Sequence, residues 1–147
     1  MVRASTSVEI DRPAEEVFAF VADFPNNPRW QRGMRACRWT SAPPHGAGST
    51  YDQEARFLGK EVRNTFRVTA FEPGRQVSFE STSGSFPIAV TRTVEPLGPD
   101  RARFTEEVEG DARGFYRIAE PLLGVMVRRS IKRDFPRLKR LLEGAAG

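Results

Sequence analysis

The residue pattern predicts one α+β domain in which a strongly curved, seven-stranded antiparallel sheet holds a long C-terminal helix. Three observations carry this reading. Apolar and polar residues alternate along one segment after another as far as Glu109. The turn residues between those segments set their apolar faces in the same sense. One long stretch, residues 112 to 143, carries the three-and-four spacing of an amphipathic helix instead. One-faced strands followed by such a helix imply a sheet curled around it, and a curled sheet leaves room for a cavity.

In the first strand Val2, Ala4, Thr6, Val8 and Ile10 alternate with Arg3, Ser5, Ser7 and Glu9. Pro13 then stands where a first helical residue would, and Glu15 and Glu16 suit the positive end of a helix dipole. Val17, Phe18, Phe20, Val21 and Phe24 form the buried side of this helix, over about residues 13 to 23. Pro25 and Pro28 end it, leaving space before Gly33 for a short second helix that carries Trp30.

From Met34 to Glu109 six further strands are expected, with turns at Gly59-Lys60, at Pro73-Gly74, around Gly84 and from Leu97 to Asp100. With Gly59 and Lys60 in the turn, Phe57 faces Val62, Ala55 faces Asn64, Gln53 faces Phe66 and Tyr51 faces Val68. The next hairpin pairs Ala70 with Val77, Val68 with Phe79 and Phe66 with Ser81. The same face continues through Phe86, Ile88, Val90, Arg92 and Val94 and returns along Ala102, Phe104, Glu106 and Val108. The opposite parity is polar almost throughout, so one face meets water and the other meets the helix. The second strand, with Cys37 and Trp39, precedes a loop from Ser41 to Gly48 that is too long to set a register.

The C-terminal stretch holds two apolar series, Phe115, Ile118, Leu122 and Met126, then Val127, Ile131, Phe135, Leu138 and Leu142. They are offset by about 100° where they meet. Pro121 and Gly124 lie just before the step and Pro136 lies beyond it, so a kinked helix is expected. Its first part would close the cavity and its second part would pack on the sheet.

Composition narrows the possible functions. A chain of 147 residues suits a single domain over 1–147, and such a domain buries roughly 70% of the surface its unfolded chain exposes. With 39% apolar and 29% charged residues it reads as a globular protein. No apolar run is long enough to cross a bilayer, and no basic-then-apolar leader opens the chain, so a cytoplasmic location without integral membrane association is expected. Cys37 is the single cysteine and His45 the single histidine, which precludes an internal disulfide or a Cys/His metal cluster. No cofactor is expected. The net charge of +4 is carried mainly by scattered arginines without interleaved exposed aromatics, so no nucleic-acid partner is expected. Monomer and homodimer both remain open.

The stretch Ser7-Val8-Glu9-Ile10-Asp11-Arg12-Pro13-Ala14-Glu15-Glu16-Val17-Phe18, followed by Asp23 and Trp30, is similar to the opening of the polyketide cyclase/dehydrase and lipid-transport branch of the START-like, or Bet v 1-like (SRPBCC), superfamily. Gly46-Ala47-Gly48-Ser49 and Val94-Glu95-Pro96-Leu97-Gly98 resemble that branch as well, and the element order resembles its helix-grip fold. These motifs lie at turns and helix starts and so speak for fold rather than chemistry. The resemblance implies binding of a hydrophobic or aromatic molecule, lipid or polyketide-like, between sheet and helix. In some members it implies cyclisation or dehydration.

The inward face supplies the candidate site. Gln53, Asn64, Ser81, Ser83, Arg92 and Glu106 interrupt a surface of Tyr51, Phe57, Phe66, Val68, Phe79, Ile88, Val90 and Phe104. The expected ligand lining is Trp30, Tyr51, Gln53, Phe57, Asn64, Phe66, Phe79, Ser81, Ile88, Val90, Arg92, Phe104 and Glu106, with Phe115, Ile118, Leu122 and Met126 from the helix. Arg92 lies across from Glu106. Either this pair orients the polar end of an apolar ligand, or it is a cross-strand salt bridge near a wet end of the sheet. Trp30 either stands at the cavity mouth or closes a core.

Glu106, Arg92 and Tyr51 are the candidate catalytic groups, although a guanidinium beside Glu106 favours the carboxylate, a weak base. No nucleophile, base and orienting partner can be assembled from the chain. Binding is therefore the leading reading, and a cyclase or dehydratase-type enzyme is the alternative. A third reading is an interaction module using the basic series Arg128, Arg129, Lys132, Arg133, Arg137, Lys139 and Arg140, which otherwise reads as a solvated helix face. His45 reads as a loop histidine and Cys37 as an apolar filler.

Overall fold

A computed structural model describes residues 2–57, 59–83, 88–110, 128 and 130–144. The chain runs through β1 (Val2–Ile10), α1 (Ala14–Val21), a 3-10 turn (Phe24–Asn26) and α2 (Asn27–Trp30). It continues as β2 (Met34–Trp39), β3 (Thr50–Phe57), β4 (Lys60–Glu72), β5 (Gln76–Ser83), β6 (Ile88–Gly98) and β7 (Arg101–Gly110). A π-helical turn (Ser130–Asp134) then leads into α3 (Phe135–Gly144). The strands form one seven-stranded antiparallel sheet in the order β1-β7-β6-β5-β4-β3-β2. Every neighbouring pair except β1 and β7 is consecutive in sequence.

The helix starts follow from proline. Pro13 is the residue before α1 rather than its first residue, and Glu15 and Glu16 occupy the first turn. Pro25 and Pro28 each stand in the first turn of the short helical segment that follows α1, where a missing N–H breaks no ladder bond. α1 buries Val17, Phe18 and Val21, while the 3-10 turn and α2 bury Phe24, Asn27 and Trp30. These side chains join Ile10, Tyr51, Phe66, Phe79, Phe104, Phe135 and Leu138 in the core.

The two faces of the sheet are those the alternation predicts, but the first hairpin is paired differently. Phe57 lies opposite Lys60, Ala55 opposite Val62, Gln53 opposite Asn64 and Tyr51 opposite Phe66. Gly59, at φ 78°, lies inside the turn while Lys60 already belongs to the strand. The slip is two residues, so each side chain keeps its face and only its neighbour changes. In the next hairpin Phe66 meets Ser81 and Val68 meets Phe79, as expected, but a bulge after Val68 places Phe71, not Ala70, opposite Val77. The extra residue turns Ala70 outward, and Phe71 packs on Phe18 with ring centroids 5.7 Å apart. Arg92 faces Glu106, with Val94 beside Phe104 and Val90 beside Val108. β2 lies along β3, Trp39 against Tyr51. The turn expected around Gly84, and Phe86 with it, lies outside the described residues.

At the C-terminal end Pro136 lies inside a continuous helical run, just after the point where the π-helical turn Ser130–Asp134 passes into α3. A proline there lacks the N–H that the ladder would use, and the irregular turn before it is where the expected interruption shows. α3 buries Phe135 and Leu138. Its last carbonyls are capped from the β1–α1 corner: Arg12 donates from Nε to the Leu142 carbonyl (3.0 Å) and from Nη2 to the Glu143 carbonyl (2.9 Å). Lys139 Nζ donates to the Glu9 carbonyl (2.8 Å). The expected step at Met126 and Val127 lies outside the described residues.

Candidate functional site

The inward charged pair is the centre of the site. Arg92 on β6 and Glu106 on β7 occupy directly opposed positions, and Nε donates to Glu106 Oε2 over 2.7 Å. Their side chains are 3% and 9% exposed, so the pair is not at a wet end of the sheet. Taking two charges out of water is unfavourable unless further hydrogen bonds replace the lost hydration. Arg92 Nη1 supplies two, to the Val21 carbonyl (2.8 Å) and to Asn27 Oδ1 (2.9 Å). Val21 is the last residue of α1, so the guanidinium stands at the negative end of that helix. Asn27 Nδ2 in turn donates to Gln53 Oε1 on β3 (3.1 Å). Neither Nη2 of Arg92 nor Oε1 of Glu106 takes part in these bonds.

Aromatic rings surround the cation. The Arg92 guanidinium lies 5.2 Å from the Trp30 ring centroid, 5.3 Å from Phe79 and 5.5 Å from Phe24. Contacts of this kind contribute about 2 kcal/mol when desolvated. Tyr51 stacks between Phe24 (4.5 Å) and Phe66 (5.0 Å). Trp30 meets Phe104 and Phe135 edge-on. Trp30 is fully buried, so it closes the core and does not stand at a cavity mouth.

Two buried donors in this cluster, Tyr51 Oη and Trp30 Nε1, have no hydrogen-bond partner among the described residues. Burial pushes the Tyr51 hydroxyl well above its ordinary 10.0, with the Arg92 charge pulling the other way, so it stays protonated and remains a donor. Burial likewise pushes the Cys37 thiol up from 9.0 to about 12, leaving it a thiol and not a nucleophile.

The other expected lining residues divide. Gln53, Phe66, Phe79, Val90 and Phe104 converge on this region, with Asn64 buried beside them. Ser81 is engaged by the backbone where β5 and β6 part, since its Oγ accepts from Ile88 N–H (3.0 Å). Phe57 is the last residue of β3 and Ser83 the last of β5, and Phe115, Ile118, Leu122 and Met126 lie outside the described residues. The sequence reading missed Asn27, Phe24 and the Val21 carbonyl, which join Arg92 across 65 and 71 residues of chain in the two hydrogen-bonded cases. The only local signal is the Asn26-Asn27-Pro28 helix start. His45 is engaged with its own loop: it stacks on Trp39 at 3.8 Å, and its Nε2 lies 3.2 Å from the Ser41 carbonyl. Among the described residues no group of His, Cys, Asp and Glu is arranged to hold a metal ion. No described helix is long and apolar enough to cross a membrane.

The chain matches the family described as polyketide cyclase/dehydrase and lipid transport over residues 1–143. It belongs to that family. An uncharacterised protein of Mycobacterium tuberculosis is 33% identical over 114 residues, covering 76% of this chain and 49% of its own length. The chain thus spans about half the length of the curated relatives it matches. Among solved structures, a Thermus thermophilus protein has a TM-score of 0.79 at 17% identity, over 99% of this chain and 100% of that one. The Zhui aromatase/cyclase of a Streptomyces species has a TM-score of 0.76 at 15% identity, over 99% and 98%. A START superfamily protein of Mycobacterium smegmatis has a TM-score of 0.73 at 20% identity, over 97% and 95%. At these identities the structures share the helix-grip fold with this family member, and the fold alone.

Proposed function

We propose that the chain binds a hydrophobic or aromatic small molecule against the inner face of the sheet, with a polar acceptor on that molecule meeting Tyr51, Trp30 and Arg92. The observation that carries this reading is the pair of partnerless buried donors beside a cation wrapped in aromatic rings. An unpaired buried donor costs about 1–3 kcal/mol, and a bound carbonyl or ether oxygen would recover it. The rings supply apolar contact, and a few placed polar groups supply orientation. Phe115, Ile118, Leu122 and Met126 complete the proposed lining from the C-terminal segment.

The test has two parts. Native mass spectrometry of the purified chain is expected to show a co-purified apolar ligand. Quenching of tryptophan emission by 2-acetylnaphthalene should weaken about tenfold in Tyr51→Phe, the loss of one buried hydrogen bond. Unchanged affinity in Tyr51→Phe would remove the orienting role.

A second reading, proton-transfer catalysis of the cyclase or dehydratase type, is favoured by one observation. Glu106 engages Arg92 through Oε2 alone, which leaves Oε1 outside the pair. Turnover of an aromatic polyketide by the wild-type chain that disappears in Glu106→Gln would establish it.

A further inference from the structure

A cavity of about 290 Å³ opens where α2 passes into β2, beside the tip of the β3–β4 hairpin and the π-helical turn. Among the described residues its walls carry Arg32, Arg35, Arg56 and Arg133, and a single carboxylate, Asp134. The arginines come from three separate parts of the chain, so their convergence is a property of the fold and not of a local run of basic sequence. It differs from the basic series on the C-terminal helix, of which it takes only Arg133.

On the outer face of the sheet Arg63 pairs with Glu54, Arg67 with Glu80 and Arg75 with Glu72. None of the four cavity arginines forms an ion pair with a described residue. Asp134 is nearly buried, and its Oδ1 accepts the Arg32 backbone N–H (3.2 Å), which fixes the chain at the start of β2. One carboxylate against four guanidiniums leaves a surplus of three positive charges around one small cavity. A cleft lined by one sign of charge focuses the field and raises the local concentration of anions.

We propose that this cavity binds a phosphate-bearing group. Guanidinium forks match tetrahedral oxyanions two bonds at a time, and the surplus charge selects a multiply charged group over a single carboxylate. The volume lies at the lower edge of the roughly 300–1,000 Å³ typical of drug-sized ligands, so the cavity suits one phosphate or pyrophosphate group rather than a whole apolar molecule. The site is separate from the Arg92 cluster but adjoins it in sequence on both sides. Arg32 follows Trp30 by two residues, and Asp134 immediately precedes Phe135, whose ring packs edge-on against Trp30. Occupancy should therefore perturb Trp30 emission.

The test is calorimetric titration of the whole chain with inorganic pyrophosphate at constant ionic strength, with Trp30 emission read in parallel. Saturable binding is expected, weakened about tenfold in Arg56→Gln and again in Arg133→Gln, the loss of one charge-assisted contact each. Both side chains are exposed, so the variants should retain the wild-type circular dichroism. Arg63→Gln, which removes an arginine of the outer face, should bind as wild type.

Two further arms identify the source of the phosphate. Competition by glycerol 3-phosphate without retention on phosphatidylglycerol vesicles would assign a free phosphate ester. Retention on those vesicles that is lost in Arg56→Gln would assign a lipid head group. No saturable heat with pyrophosphate, or equal weakening in Arg63→Gln, would overturn the proposal. Either result would leave the 2-acetylnaphthalene titration of the Tyr51 site untouched.

Discussion

Two cross-strand ion pairs of nearly equal length lie on opposite faces of one sheet. Arg92 and Glu106 are 2.7 Å apart with side chains 3% and 9% exposed, whereas Arg63 and Glu54 are 2.6 Å apart and 78% and 48% exposed. Distance does not distinguish them, but solvent does. The outer pair exchanges hydration for a contact of similar strength and contributes about 0–1 kcal/mol. The inner pair gives up its water entirely and stands only because a helix terminus, Asn27 and three aromatic rings replace it. An apolar pair of the same volume would stabilise the sheet at least as well. Added stability therefore does not account for the inner pair, whereas the proposed ligand-binding role would.

The largest expected effect tests that contrast directly. Arg92→Leu leaves Glu106 buried without its partner and orphans the Val21 carbonyl, so it should destabilise the chain by about 3–5 kcal/mol in urea. The double change Arg92→Leu with Glu106→Leu should recover most of the loss. If Arg92→Leu cost no more than Arg63→Gln, burial would not separate the two pairs.

Next in size is an alkaline effect. Unfolded Cys37 releases its proton near 9.0, while the folded thiol holds it to about 12. Between those values the unfolded state binds fewer protons, so stability should fall as pH rises, by about 1 kcal/mol per pH unit. Cys37→Ala should flatten that part of a thermal-melt series. A slope unchanged in the variant would place the alkaline loss elsewhere.

Tyr51→Phe removes a buried hydroxyl that has no partner among the described residues, so the free protein should gain about 1 kcal/mol of stability even as it loses affinity for 2-acetylnaphthalene. Stability and binding moving together would contradict the reading of Tyr51 as a donor held for a ligand.

The smallest effects belong to the surface. Arg63→Gln should cost less than about 1 kcal/mol, fading in 1 M salt. At Glu143 the Lys139 ammonium and the Asp11 N–H hold the carboxyl below its usual 4.5. Its contribution is present above that value and lost as pH falls through the lower folded value, and Glu143→Gln should blunt the acid limb slightly.

The faces of the sheet are legible in the sequence because alternation has a period of two, and the described inward positions from Tyr51 to Glu106 follow from it except where a bulge exchanges Ala70 for Phe71. The same arithmetic hides a two-residue slip, which preserves the face. Hence Tyr51 lies across from Phe66 rather than Val68, and parity alone could not tell these apart. The bulge that exchanges Ala70 for Phe71 leaves no mark in composition. Arg92 and Glu106 are legible as a pair because one hairpin joins them. Asn27 and the Val21 carbonyl are not, because only tertiary packing brings α1 and α2 onto that guanidinium. The cavity arginines are invisible for the same reason: scattered in sequence, they become a cluster only when the β3–β4 hairpin and the π-helical turn meet at the start of β2.

One pairing in the sheet also governs how the chain can be made. β1 lies against β7, and Asp11 N–H reaches Glu143 across 132 residues. On a ribosome the first strand therefore emerges long before its partner and must wait, unpaired, while the meander from β2 to β7 forms. Its polar parity of Ser5, Ser7 and Glu9 keeps that waiting edge hydrated and discourages pairing with another nascent chain. Pairing of β1 with β7 can follow only once the residues between them have been made, and Arg12 adds a second tie from the same corner to the end of α3.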